Sequence, residues 1–212
     1  MKTVIVLGGE LPPKAFLCER LQEADYSIAA DRGMEAFAAS GRLPDLWVGD
    51  MDSIDPSVLN AFAGSVQMHR LSCIKDDTDG VDALDVAIQK GATEIVLLGA
   101  LGGRLDHALA NLMLLVRAHR KNVWAEIQAP GVSICRVNGR CMLENAQGDT
   151  VSLLPLGTAE GVTVKGCFYP LSEGVLRSDH PLGISNVVTE PHAEVRVTGG
   201  DLILFHYQRN KH

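Results

Sequence analysis

No run of about 18 or more apolar residues occurs in the chain, which excludes an ordinary apolar membrane-spanning helix. The opening stretch MKTVIVLGGE holds too short an apolar segment for a secretory leader, so a cytoplasmic protein with no membrane partner is expected. Basic residues are in deficit, 19 against 26 acidic, for a net charge of -7. That balance argues against a chain-wide footprint for nucleic acid, and a polyanionic ligand would need local basic groups or a metal. The five cysteines, Cys18, Cys73, Cys135, Cys141 and Cys167, are scattered without C-x₂-C pairs. This leaves no structural zinc site and reads as reduced, mostly buried thiols. The Walker pattern and the dinucleotide fingerprint G-x-G-x-x-G are both missing. No Ser/His/Asp or Cys/His constellation with recognisable local sequence supports covalent hydrolase chemistry.

What is present is an ordinary globular composition, 46% hydrophobic and 21% charged over 212 residues, enough for one domain or two small ones. Continuous apolar runs predict strands over Thr3–Leu7, Ser27–Ala30, Leu46–Gly49, Val66–Leu71, Glu94–Leu98 and Val123–Ile127. Between them the pattern predicts helices over Lys14–Glu23, Met34–Ser40, Pro56–Ala63, Asp79–Lys90 and His107–Arg120. In the fourth of these, Val81, Leu84 and Ile88 form one apolar stripe. Such alternation implies an α/β unit, a mostly parallel sheet flanked by helices with right-handed crossovers. Ligands of these sheets bind beyond the carboxyl ends of the strands. Past Pro130-Gly131 helical periodicity disappears and short alternating segments take over. Strands are expected over Val132–Val137, Thr150–Leu154, Val162–Val164, Ala193–Thr198 and Leu202–Tyr207, with Asn138-Gly139 and Gly199-Gly200 as hairpin-type turns. The chain therefore divides into an α/β domain over residues 1–129 and a smaller all-β sandwich over residues 130–212.

Three stretches could carry chemistry, and all follow predicted strands. In Leu46-Trp47-Val48-Gly49-Asp50-Met51-Asp52-Ser53 an extended backbone would put Asp50 and Asp52 on one face. Two carboxylates so close repel unless one is protonated or a cation lies between them, and Mg²⁺ prefers such oxygen ligands together with substrate phosphates. The competing reading is a pair of turn-capping aspartates ahead of Asp55-Pro56. The second stretch, Lys75-Asp76-Asp77-Thr78-Asp79, either caps the following helix through Asp79 or turns Asp79 toward Asp50 and Asp52. The third, Gly99-Ala100-Leu101-Gly102-Gly103-Arg104-Leu105-Asp106-His107, has the glycines, helix start and arginine of a phosphate-binding loop. There Arg104 can equally be a surface ion-pair residue, with Asp106 as an N-cap and His107 as a helix-start hydrogen-bonder. Metal-assisted transfer of a phosphorylated group is the reaction class that survives.

These residues resemble a known family. Pro44-Asp45-x-x-x-Gly49-Asp50-x-Asp52-Ser53, Lys75-Asp76-x-Thr78-Asp79 followed by Ala83-Leu84, and Gly99-x-x-Gly102-Gly103-Arg104-x-Asp106-His107 with Asn111 are similar to motifs of the thiamin pyrophosphokinases. Tyr169-Pro170-Leu171 and Gly183-Ile184-Ser185-Asn186 resemble the signature of that family's second domain. The resemblance implies a catalytic α/β domain binding Mg-ATP, a β-sandwich that binds thiamin, and a homodimer with active sites between subunits. It implies transfer of pyrophosphate from ATP to thiamin, with AMP released. By resemblance, Asp50, Asp52 and Asp79 hold Mg²⁺. Asp31, Ser53, Lys75, Thr78, Gly102, Gly103 and Arg104 would contact ATP, with Lys75 and Arg104 neutralising phosphate charge. Asp106 would lie near the substrate hydroxyl or help orient Arg104, and Ser185 and Asn186 would line the thiamin site. The family often carries Ala-Asp-Gly-Gly where this chain has Ala30-Asp31-Arg32-Gly33, and Arg32 reads as an outward-pointing side chain. Two other functions compete: a simple kinase acting on a related heterocycle, and a silent sensor of thiamin or nucleotide.

Overall fold

Apolar runs that alternate with amphipathic stretches become, in the first part of the chain, strands that alternate with helices. The structure is a computed structural model that describes residues 1–50, 54–62, 64–70 and 78–209. It separates into two compact units, Met1–Pro130 and Gly131–His212.

In the first unit the order is β1 (Lys2–Val6), α1 (Lys14–Gln22), β2 (Tyr26–Ala30), α2 (Gly33–Ser40), β3 (Leu46–Gly49), α3 (Pro56–Phe62), β4 (Met68–Arg70), α4 (Asp79–Gln89), β5 (Glu94–Leu98), α5 (Leu105–Arg120) and β6 (Trp124–Ala129). The sheet runs β4-β3-β2-β1-β5-β6, and every neighbouring pair is parallel. Strands covered on both faces need no polar side, which is why they read as unbroken apolar runs. Val4, Val6, Ala29, Trp47, Val96 and Leu98 pack on one face with Leu17 of α1 and Met34 and Phe37 of α2. Helix α4 crosses the sheet against β1, β2 and β3, while α5 lies on β6 and α4. Full burial of Leu17 or Phe37 stabilises the fold by roughly 1.5–3 kcal/mol each. Successive connections carry the chain outward from β1 to β4 and then back across to β5. The order therefore reverses between β1 and β5, where sheets of this kind open a crevice.

The second unit contains β7 (Val132–Arg136), β8 (Arg140–Glu144), β9 (Thr150–Lys165), β10 (Leu171–Arg177), β11 (Asn186–Val187), β12 (His192–Arg196) and β13 (Gly199–Tyr207). The first part of β9 pairs with β13 and β11, and β7 adds to the far side of β13. Its second part pairs with β10 and β12, and β8 adds to β12. One strand thus belongs to two antiparallel sheets. Side chains from both, among them Val151, Leu153, Leu204, Val162, Val164 and Val195, fill a common core. The expected separate strands over 150–154 and 162–164 are this single element. Pro155, Gly157 and Gly161 bend it without ending it, the two glycines at φ 86° and 60°.

Asn138-Gly139 and Gly199-Gly200 are not hairpin turns. The strands that flank the first, β7 and β8, pair with β13 and β12 and not with each other, and β12 and β13 are likewise unpaired. Both turns are corners at which the chain changes sheet. Close backbone approach explains Gly200, where a Cβ would stand 2.1 Å from the Thr158 carbonyl oxygen, whereas Gly139 has open space around it and serves through its φ of 69°. Strands β8, β10 and β11 were not expected. Among the described residues, no helix is long and apolar enough to cross a membrane.

Candidate functional site

The strand ends of the first unit gather acidic and glycine-rich loops. Asp31 follows β2 directly and adopts φ 44°, a left-handed conformation that a short polar side chain tolerates better than most. Its N–H donates to the Val48 carbonyl at 2.8 Å, and its own carbonyl accepts from the Met34 N–H and, at 3.2 Å, from the Trp47 indole Nε1. Trp47 is fully buried and its ring N–H needs a partner there. The tryptophan therefore fixes the corner that presents Asp31. Across the β2–β3 pair, Gly49 has φ 146°, and a Cβ on it would lie 3.2 Å from the Asp31 Cα. A side chain at position 49 would be strained at this φ and would crowd the Asp31 backbone.

Asp79 lies in the first turn of α4. Thr78 occupies the N-cap, its hydroxyl accepting from the Val81 N–H. Asp79 is therefore not the helix cap. Its carboxyl is half-buried and pushed up to about 6, first by burial and then by the charges of Asp31, Asp50 and Asp82. Carboxylates from three chain segments thus repel one another at one edge of the sheet. Among the described residues, no set of three or more His, Cys, Asp and Glu side chains is gathered tightly enough to hold a metal ion. Asp52, Ser53 and Lys75 lie outside the described residues.

At the point where the strand order reverses, the loops after β1 and β5 are knitted together. Gly9 N–H donates to the Gly99 carbonyl at 2.9 Å and Glu10 N–H to the Leu101 carbonyl at 2.7 Å. A Cβ on Gly9 would meet the Leu101 carbonyl at 2.5 Å, and one on Gly99 would meet the Leu7 carbonyl at 2.3 Å. Gly102 faces Glu10, a residue that sequence reasoning did not single out, because a lone glutamate after two glycines carries no pattern. The loop leads into α5 through Arg104, which takes the N-cap position without a side-chain cap. Asp106 sits inside the first turn and is not the N-cap. Its carboxylate accepts from Arg104 Nε at 3.1 Å, Arg104 Nη2 at 2.5 Å and the His107 N–H at 3.0 Å. The Arg104 fork draws the Asp106 carboxyl down to about 2, while both side chains remain largely exposed.

Arg32 is in the right-handed helical region, with a half-exposed guanidinium forked onto Glu35 at 3.2 Å through both Nε and Nη2. Nothing at this position requires a glycine.

In the second unit, Ser185 is exposed at φ 58°, its N–H donating to Ser152 Oγ at 2.9 Å. The Asn186 amide is engaged with the Tyr169 backbone, accepting its N–H at 3.0 Å and donating to its carbonyl at 2.8 Å. It clasps the Phe168-Tyr169 turn as a paired strand would. Phe168 and Tyr169 meet edge to face, their ring centroids 4.8 Å apart, and stand 64% and 66% exposed.

Residues 17–127 match the family model of the thiamin pyrophosphokinase catalytic domain, and residues 140–202 match that of the thiamin pyrophosphokinase vitamin B1 binding domain. Thiamine pyrophosphokinase of Bacillus subtilis (strain 168) is 27% identical, the match covering 96% of this chain and 98% of the relative. Among solved structures, the Bacillus subtilis enzyme superposes with a TM-score of 0.85 at 25% identity, over 98% of this chain and 99% of that one. The thiamin pyrophosphokinase of Geobacillus thermodenitrificans gives 0.83 at 28% identity, over 100% and 99%.

Proposed function

Because the chain belongs to the thiamin pyrophosphokinase family, both of whose domains it matches in order, we infer that it is a thiamine diphosphokinase. It transfers pyrophosphate from ATP to the hydroxyl of thiamin, giving thiamin diphosphate and AMP. The observation that carries the assignment of the site is the convergence of Asp31 and Asp50 on Asp79 beside the glycine loop of Arg104. The first unit binds ATP and the second binds thiamin.

The donor set suits magnesium. It is all oxygen and carries excess negative charge, the combination a hard divalent cation relieves while retaining room for water and phosphate. Asp50, Asp52 and Asp79 would hold the ion, which supplies charge neutralisation on the triphosphate when bound. Arg104 adds positive charge beside the glycine loop, and its planar fork suits phosphate oxygens. Asp31, Ser53, Lys75, Thr78, Gly102 and Gly103 complete the nucleotide site. The thiamin hydroxyl attacks the β-phosphorus in line and AMP departs, so the chain contributes mainly alignment and charge. Asp106 serves as the orienter of Arg104: a carboxyl drawn down to about 2 is a weak proton acceptor near neutrality. Ser185 and the turn that Asn186 clasps line the thiamin side.

The active enzyme is a cytoplasmic homodimer with its sites between subunits, and it acts on neither nucleic acid nor membrane. Exposed Phe168, Tyr169, Leu182 and Ile184 in the second unit support a partner surface. Cys18 and Cys167 are free thiols, in keeping with a reducing compartment. The decisive experiment incubates pure protein with thiamin, ATP and Mg²⁺ and identifies the nucleotide released. AMP is expected. ADP would make the protein a simple kinase, and retained thiamin with no nucleotide turnover would make it a sensor.

A further inference from the structure

One side chain lies between two of the segments that frame the proposed nucleotide site, the glycine loop and the first turn of α4. Asn111 lies two turns into α5, half-buried, and its Nδ2 donates to the Ala100 carbonyl at 2.8 Å. Ala100 belongs to the glycine loop that delivers Arg104 and is 2% exposed, so its carbonyl depends on a donor from within the protein. The other end of the same amide faces the start of α4. A Cβ added to Gly80 would come 3.4 Å from Asn111 Oδ1, 3.2 Å from Leu114 Cδ1 and 3.5 Å from Leu7 Cδ2. Gly80 is buried and directly follows Asp79. The amide thus lies between the loop of Arg104 and the helix turn of Asp79, where a side chain on position 80 would touch the amide and displace Leu114 Cδ1 by a few tenths of an ångström.

An aliphatic residue in place of Asn111 could fill the space, yet it would leave the Ala100 carbonyl without its donor and free the loop to shift against α4. An amide offers both a donor toward the loop and a small planar edge toward Gly80. We propose that Asn111 is a positioning residue that sets the separation between Arg104 and Asp79, so that both engage the same triphosphate. This role rests on the assignment of the crevice to ATP. Both ends of the Asn111 amide are directed at protein groups. It acts through the two elements it separates.

The test uses the full-length enzyme and three variants, Asn111→Ala, Gly80→Ala and the double variant, with KM for ATP, KM for thiamin, kcat and melting temperature measured for each. Asn111→Ala is expected to raise KM for ATP and lower kcat by about tenfold each, with KM for thiamin changed by less than about twofold, the pattern of a misplaced nucleotide site. Gly80→Ala should give a smaller change of the same ATP-selective kind, about twofold to threefold, because its methyl crowds Leu114 Cδ1 at 3.2 Å and only touches the amide at 3.4 Å. If both act through the same separation, the double variant is no worse than the poorer single one. Should Asn111→Ala fail to fold, Gly80→Ala alone decides. An unchanged KM for ATP in folded variants, an equal rise for thiamin, or strictly additive losses in the double variant would overturn the role while leaving the enzyme assignment intact. A wild-type protein that releases no AMP would overturn the assignment itself.

Discussion

At the scale of single residues, Asp79, Asp50 and Asp106 are the carboxylates to which the proposal assigns chemistry, and each illustrates a different degree of legibility. The acidic cluster before α4 was visible as composition, but whether Asp79 caps the helix or faces a site depends on a neighbour one position away. Thr78 takes the capping role, which releases Asp79 to face Asp31 and Asp50. The contribution of Trp47 was hidden because its indole reaches a backbone carbonyl sixteen residues distant in sequence. Asp50→Asn is expected to abolish Mg²⁺-dependent turnover while the melting temperature stays within a few degrees, since a carboxylate at the crevice adds little to the core. Near-normal turnover at saturating Mg²⁺ would remove Asp50 from the ion. For Asp106, the Arg104 fork sets the expectation. Asp106→Asn should reduce kcat/KM by about tenfold, the scale of lost alignment, whereas a loss beyond roughly a thousandfold would point to proton transfer instead.

Among elements, the α/β unit was nearly transparent and the β unit was not. Strands buried on both faces announce themselves as apolar runs, and helices such as α4 keep a buried stripe at helical spacing, so boundaries came within a residue or two. In β9 the period of two is interrupted by Pro155, Gly157 and Gly161, which mark turns in most contexts and bends in this one. Helices α4 and α5 are tied by Asp85 and Arg117, a bidentate pair at 2.9 and 2.6 Å. The Arg117 guanidinium holds the Asp85 carboxyl below its ordinary value. A depressed carboxyl stabilises the fold above its unfolded pKa, near 4, and that contribution is lost as pH falls through the lower folded value. Asp85→Asn should therefore cost about 1 kcal/mol at pH 7, the pair being partly exposed, and nothing measurable once the wild-type carboxyl is itself protonated. Urea unfolding at neutral pH and stepwise into the acid range would show the gap narrowing. A gap that persists in acid would assign the loss to packing.

For the molecule as a whole, the order β4-β3-β2-β1-β5-β6 decides where chemistry can happen, because the reversal beside β1 brings loops from distant parts of the sequence to one edge. In the second unit the Phe168-Tyr169 turn, held open by Asn186, exposes aromatic surface that a monomer rarely leaves bare. Sedimentation equilibrium is expected to return twice the chain mass, and Phe168→Ser with Tyr169→Ser should shift the population toward monomer and reduce activity together. A monomeric, fully active wild type would rule out sites shared between subunits.

The shared strand β9 also constrains the order of events during synthesis. Strands of the first unit pair with neighbours made shortly before or after them, apart from β5, so that sheet can assemble while the rest is being translated. The second unit has no such freedom. Its β13 lies between β7 and β9 and lines up with β9 from Gly199 to Tyr207. Until β13 leaves the ribosome, one edge of β9 stays open, a surface for chaperones to guard.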